Sequence, residues 1–241
     1  MTRSMPVVAV TLRNLVDRRR FWLMVLLAAV PVLIAIVGRA FSDEVFSHRI
    51  FDQLVIRTVL PLVALVFGTA ALGTELEDGT IVYLLTKPQR RLRIVVAKGL
   101  VAAGMTALLI VPATLLTGLV ATSSNGSMAG PTVAYAAAAA VGGTAYALAF
   151  LALSSLTSRA LAVGLGYVLL WEGVLAGLFE GTRAFSIRQA TLGLAALLQG
   201  GADRADTLGS TTSAVVLGAV ILGSLGFAGW RLSRYQIKGG D

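Results

Sequence analysis

Three carboxylates within four positions, Glu75, Glu77 and Asp78, stand ahead of a basic cluster, Lys87, Arg90 and Arg91, with Ile81, Leu84 and Leu85 between them. Acids at a helix entry, an apolar patch and cations at the exit suit docking rather than bond-making. One further acid, Glu172, lies about 12 residues into an apolar run, about 18 Å along a helix. An intramembrane carboxylate turns to the bundle interior, where it is protonated or paired. Glu172 is therefore a candidate for a substrate path, meeting a cationic or hydroxyl-bearing group, with a structural hydrogen bond to a neighbouring span as its plainer role.

Catalytic chemistry is poorly provided for. The chain has no cysteine, which removes thiolate nucleophiles, thiolate metal ligands and disulfides. His48 is the only histidine and has no convergent ligands in sequence, so neither a metal site nor a Ser/His/Asp set is expected. The phosphate-cradling pattern G-x-x-x-x-G-K-[ST] is absent from the 241 residues. No catalytic, metal-binding or cofactor-binding residue is expected in this chain.

The elements that must position Glu75–Arg91 and Glu172 follow from hydropathy. With 56% hydrophobic and 13% charged residues and a mean hydropathy of +0.83, the chain exceeds what a soluble core needs. Six apolar stretches suit a hydrocarbon core, near 21–38, 54–74, 97–120, 132–154, 160–180 and 212–231. The runs are continuous and lack the alternation of a barrel strand, and lipid offers unpaired backbone groups no partner, so they are read as helices. The expectation is an all-α integral membrane protein with six transmembrane helices in a single transmembrane domain over 1–241. Residues 21–38 exceed a usual signal-peptide core and Gly38-Arg39-Ala40 is a poor cleavage site, so this stretch is expected to persist as the first span.

The net charge of +8 raises a nucleic-acid partner, and its distribution removes it. With the amino terminus inside, fourteen of the twenty basic residues fall on cytoplasmic segments, including Arg13, Arg18 to Arg20, Lys87, Arg90, Arg91 and Arg231. The positive charge is then a topology signal that places both termini in the cytoplasm. Seventeen arginines against three lysines are associated with GC-rich bacterial genomes, giving a bacterial plasma membrane as the expected location.

Between the spans, Val8, Leu12, Leu15 and Val16 share one face of residues 6–20, predicting an interfacial helix with its arginines against lipid phosphate. Asp78 can cap a short helix over 78–86, started by Gly79 and Thr80 and favoured by Glu75 and Glu77 at its positive end. Lys87 precedes Pro88 and is pushed out of helical geometry, which ends that helix near Thr86. Two turns have no stability alone, so the face of Ile81, Leu84 and Leu85 must rest on the bundle or on another protein. Within 181–211, Ile187, Thr191, Leu194 and Leu198 share a face of Ser186–Gln199, predicting a short external helix lying on or dipping into the outer leaflet. Pro31, Pro61 and Pro112 are read as tolerated kinks, and Arg57 as snorkelling to the headgroups. Gly173, Gly177 and Gly181, and Gly218, Gly223, Gly226 and Gly229, are read as close-packing sites within the bundle.

The run Glu75-Leu76-Glu77-Asp78-Gly79-Thr80-Ile81, then Leu84-Leu85-Thr86-Lys87-Pro88, Arg90-Arg91 and Lys98-Gly99-Leu100, resembles the signature of ABC-2 type transporter permeases. The basic lead Leu12-Arg13 to Arg20-Phe21-Trp22 is similar as well. The motifs lie in about the first hundred residues, while the layout of flat helix, six spans, cytoplasmic helix after span two and external helix before span six extends over most of the chain. The resemblance implies that Glu75, Glu77, Asp78, Gly79, Thr80, Ile81, Leu84 and Leu85 build a coupling helix seated in a separate ABC ATPase. It also implies two ATPase copies that hold ATP and Mg, a second permease copy or a sister permease, and export as the direction. Two other readings stay open: a structural or regulatory polytopic protein using the same segment for another partner, and a proton-coupled carrier with Glu172 as relay.

Overall fold

Small side chains let helices come close, and the run 129–154 is built largely of alanine and glycine. In the computed structural model of the protein, which describes residues 18–38, 49–77, 91–122, 129–176, 185–200 and 208–234, this run is the helix on which the others gather. We number the helices α1 (Arg18–Gly38), α2 (Leu60–Glu77), α3 (Arg91–Thr122), α4 (Ala129–Ser154), α5 (Ala160–Gly166), α6 (Ile187–Leu198) and α7 (Ser210–Ser233). A π-helical segment, Ile50–Val59, runs directly into α2, and a second, Tyr167–Leu175, continues α5. No strand occurs among the described residues.

Helix α4 packs against α2, α3, α5, α6 and α7, while α1 lies outside, mainly on α3. Tyr135 and Tyr146 of α4 are fully buried, as are Phe51, Ile56, Leu60 and Phe67 on the helix running through α2. Close approach is written into two glycines. A Cβ at Gly68 would stand 2.5 Å from the Ala147 carbonyl oxygen and 2.9 Å from Phe150 Cβ, so only glycine lets α2 meet α4 there. A Cβ at Gly142 would collide with Thr191, so the same economy lets α6 lie across α4.

Among the described residues, five helices are long and apolar enough to cross a bilayer: Phe21–Gly38, Ile50–Gly73, Leu92–Ala121, Ala129–Ser154 and Thr211–Ser233. They match five of the six expected spans. Over the remaining one, expected at 160–180, the described helix is the shorter Ala160–Leu175. The second span begins before 54 because the π segment adds Ile50 and Phe51, both buried. The third begins before 97, since Lys98 is buried rather than marking the water boundary. The interfacial helix expected at 6–20 lies outside the described residues, except that 18–20 already belong to α1.

The prolines act differently from one another. Pro31 and Pro112 sit inside unbroken helices, whereas Pro61 stands where the π segment gives way to α2. Proline has no N–H to donate, so a change of hydrogen-bond register is cheapest beside it. The glycines of α7 also depart from expectation. Only Gly229 meets a neighbour, Leu92 of α3, while nothing stands within 4 Å of a Cβ at Gly218, Gly223 or Gly226. Helix α7 is an edge of this bundle, and those three lie on its open side.

Replacing Gly68 by leucine should therefore disrupt the α2–α4 seam, costing about 2 kcal/mol or more from overpacking against backbone. The measurement is apparent unfolding temperature in detergent, with Gly218→Leu, on the open side of α7, as the variant expected to change little.

Candidate functional site

A carboxylate inside a membrane needs donors, and Glu172 has them. It lies in the second π segment and is 2% exposed. Its Oε2 accepts from Ser186 Oγ at 2.5 Å, and its Oε1 accepts from the Tyr167 hydroxyl at 3.1 Å and from the backbone N–H of Ile187 at 3.0 Å, with the Arg188 N–H further away at 3.5 Å. Ile187 and Arg188 open α6, whose first-turn N–H groups have no partner within the helix. Glu172 supplies that partner from another element. Its negative charge also sits at the positive end of the helix dipole.

Ser186 joins the two. As N-cap it accepts from the Gln189 N–H at 3.1 Å while its own hydroxyl proton goes to Glu172. The far end of α6 is closed by Gly200, whose φ of +67° suits glycine and whose N–H donates to the Leu197 carbonyl at 3.0 Å. A 12-residue helix with both ends satisfied can leave the surface. Ile187, Arg188, Gln189, Ala190, Thr191, Gly193, Ala195 and Ala196 are all buried, and α6 packs on α4 and α7. The short helix expected within Ser186–Gln199 is present as α6 and is buried against the other helices, with Thr191 against Gly142 and Ser213 against Gly193.

Aromatic rings line the floor of the site. Tyr146 stacks on Phe150 at 5.9 Å between centroids, and Phe150 meets Tyr167 edge-on at 6.3 Å. Two further ties hold the first π segment. Arg57 Nη2 donates to the Gly173 carbonyl at 3.0 Å, and the Tyr135 hydroxyl donates to Asp52 Oδ1 at 2.6 Å beneath the stacked ring of Phe51. Arg57 thus grips the residue next to Glu172 instead of only reaching to headgroups. The bare Cα of Gly173 leaves that carbonyl open to it. No neighbouring helix packs on the Cα of Gly173, a Cβ there finding only the Val168 carbonyl oxygen of its own helix at 3.5 Å. Gly177 and Gly181 lie outside the described residues.

The acidic docking segment is seen only at its margins. Glu75 and Glu77 belong to the last turn of α2, and Asp78, Gly79, Thr80, Ile81, Leu84 and Leu85 lie outside the described residues. The helices that bracket it are joined: Lys98 of α3, 1% exposed, donates from Nζ to the Ala71 carbonyl of α2 at 2.7 Å. Sequence reasoning missed Lys98 as a structural donor, and missed Tyr146, Tyr167, Ser186, Ile187 and Arg188 as neighbours of Glu172. One signal was present. Ser186-Ile187-Arg188-Gln189 has the serine and glutamine spacing of a capped helix start.

Fold and site together define a multi-pass, all-helical membrane protein whose polar side chains turn inward to backbone and to one another. The family model described as "ABC-2 family transporter protein" matches residues 16–178, more than half of the chain, and this chain belongs to that family. It is an ABC-2 type permease, the membrane component of an ABC transporter and not its nucleotide-binding domain. No curated protein matches it closely enough to add a named relative.

Removing the shared acceptor should expose its importance. Glu172→Leu leaves Ser186 Oγ, the Tyr167 hydroxyl and the start of α6 without a partner, at a cost of about 2 to 3 kcal/mol. Thermal unfolding in nanodiscs should show a clear drop for Glu172→Leu and a smaller one for Glu172→Gln, whose amide oxygen still accepts.

Proposed function

We propose that this chain is the membrane half of an ATP-driven exporter in a bacterial plasma membrane, with both termini in the cytoplasm. It works as a homodimer or beside a sister permease, on two copies of an ABC ATPase that bind ATP and Mg. Residues 78–86 form the coupling helix, with Asp78 as cap, Glu75, Glu77, Gly79 and Thr80 at its entry, and Ile81, Leu84 and Leu85 as the apolar face seated in the ATPase. The observation that carries this reading is the family match over 16–178, which contains that segment. ATP binding draws the ATPases together and the coupling helices carry the motion into the spans.

The packing supports such a lever. The bracket around 78–90 is closed by Lys98 and Ala71, so a push on the segment moves α2 and α3 as one body. From Arg57 to Glu77 the chain is continuous helix, roughly 30 Å long, and its far end holds Gly173 beside Glu172. Glu172 then serves the substrate path by anchoring α6, which borders the path.

Ile81→Asp and Leu84→Asp should each abolish co-purification with the cognate ABC ATPase while the permease itself remains folded by size-exclusion chromatography. Intact complex and unimpaired transport in both variants would refute the coupling assignment.

A further inference from the structure

At one end of the bundle the first turn of α3 meets the last turn of α7. A Cβ at Gly229 would stand 2.8 Å from Leu92 Cδ1, and one at Gly99 would stand 3.6 Å from Leu225 Cδ2, so the two helices run antiparallel along a seam of these four residues. In an antiparallel pair of right-handed helices, the residue after each contact position turns by about 100° to the same side of the seam. On that side stand Arg93 and Leu100 of α3 and Gly226 and Trp230 of α7, all exposed, whereas Lys98 and Ala228, which precede contact positions, are buried. The result is a furrow open to the outside of the bundle. Gly226, and Gly104 one turn beyond Leu100, deepen it, with nothing within 4 Å of a Cβ at either.

The charge at the end of this furrow is one-sided. Arg91 and Arg93 stand in the first turn of α3, which contains no acid, and so add positive charge to the positive end of its dipole. At the end of α7 the Arg234 guanidinium lies over the Trp230 ring, 4.4 Å from the centroid, and Phe227 stands beside the indole at 6.0 Å. No acid occurs between Gly229 and Arg234. The apolar spans end at Leu92 and Ser233, which puts the arginines and the indole at headgroup depth and the rest of the furrow at acyl-chain depth. A phosphodiester accepts from guanidinium groups, and a net negative headgroup offsets the uncompensated charge. A second copy seated here about a two-fold axis would instead bring like arginines together, with no acid on either furrow to offset them.

We propose that the furrow between α3 and α7 is a binding site for an anionic phospholipid, its phosphate held by Arg93 and Arg234 beside Trp230 and one acyl chain lying along Leu100, Gly104 and Gly226. Helix α7, an edge of the bundle, is thereby tied to α3 through lipid as well as through the Leu92 and Gly229 contact. The site belongs to whichever leaflet meets the carboxyl end of α7. It goes beyond the exporter reading and does not depend on it.

Trp230 reports on its own neighbours once Trp22→Phe and Trp171→Phe leave it the only tryptophan of the full chain. In nanodiscs, its fluorescence should be quenched more strongly by dibrominated phosphatidylglycerol than by dibrominated phosphatidylcholine at equal mole fraction. Arg93→Gln and Arg234→Gln should each lower that preference about fivefold. Arg159→Gln, which removes an exposed arginine at the start of α5, a helix packed on α2 and α4, should leave it unchanged. Equal quenching by the two lipids overturns the proposal, and so does an equal loss from Arg159→Gln, which would make the preference a property of the whole surface. Protection of Trp230 from both lipids would overturn it too, by assigning the furrow to protein, a second copy included. Should the double phenylalanine background fail to fold, native mass spectrometry of the otherwise unsubstituted chain decides: one retained phosphatidylglycerol should be lost in Arg93→Gln, and an unchanged count overturns the site.

Discussion

Hydrocarbon donates and accepts no hydrogen bonds, so every polar atom that enters it must bring its partner along. Most side-chain geometry in this permease follows from that constraint. Threonine hydroxyls bond back to their own helices, Thr69 to Leu65, Thr106 to Ala102, Thr114 to Ile110 and Thr144 to Ala140, and so cost the spans little. The charged groups cannot be satisfied so locally. Lys98 reaches across to Ala71, Arg57 to Gly173 and Glu172 to the start of α6, and each becomes a tie between elements that lipid would otherwise hold together only by packing.

The Glu172 tie shapes the fold most. A short helix brought into a bundle arrives with unsatisfied N–H groups at its entry, and a buried acid arrives with unsatisfied lone pairs. Each cancels the other's cost, which is why α6 can be buried on α4 and α7 although it is too short to span. Gly142 and Gly193 provide the room, Ser186 closes the geometry, and Gly200 ends the helix. None of these residues alone would place α6 inside.

The spans were legible because hydropathy over some twenty residues integrates many side chains and tolerates an error in any one. Boundaries failed where a single polar residue misled. Lys98 reads as a membrane edge until its Ala71 partner is known, and Asp52 likewise until Tyr135 is found opposite. Glu172 was recognisable as an inward-facing acid, but apart from Tyr167 its hydrogen-bond donors lie 14 to 16 residues further on, across a connection whose path the sequence does not state. The two π segments left no hydropathy signature, since a change of one residue in hydrogen-bond register alters neither composition nor overall length. The segment 78–86 is the reverse case: its motif is specific in the sequence and lies outside the residues that the structure describes.

The ties also divide the bundle into bodies. Lys98 fastens α2 to α3 beside the proposed coupling segment, and Glu172 fastens the second π segment to α6. Both bodies rest on α4, and Arg57 to Gly173 is the polar link between them. Each side of that link is π-helical, where wider turns and poorer stacking make the backbone easier to re-register than in an α-helix. Compliance is therefore concentrated where the two bodies meet, and stiffness where each is held. In the proposed cycle, a displacement entering near Glu77 would travel along a rigid helix and be taken up at the π segments, next to the carboxylate that keeps α6 in place.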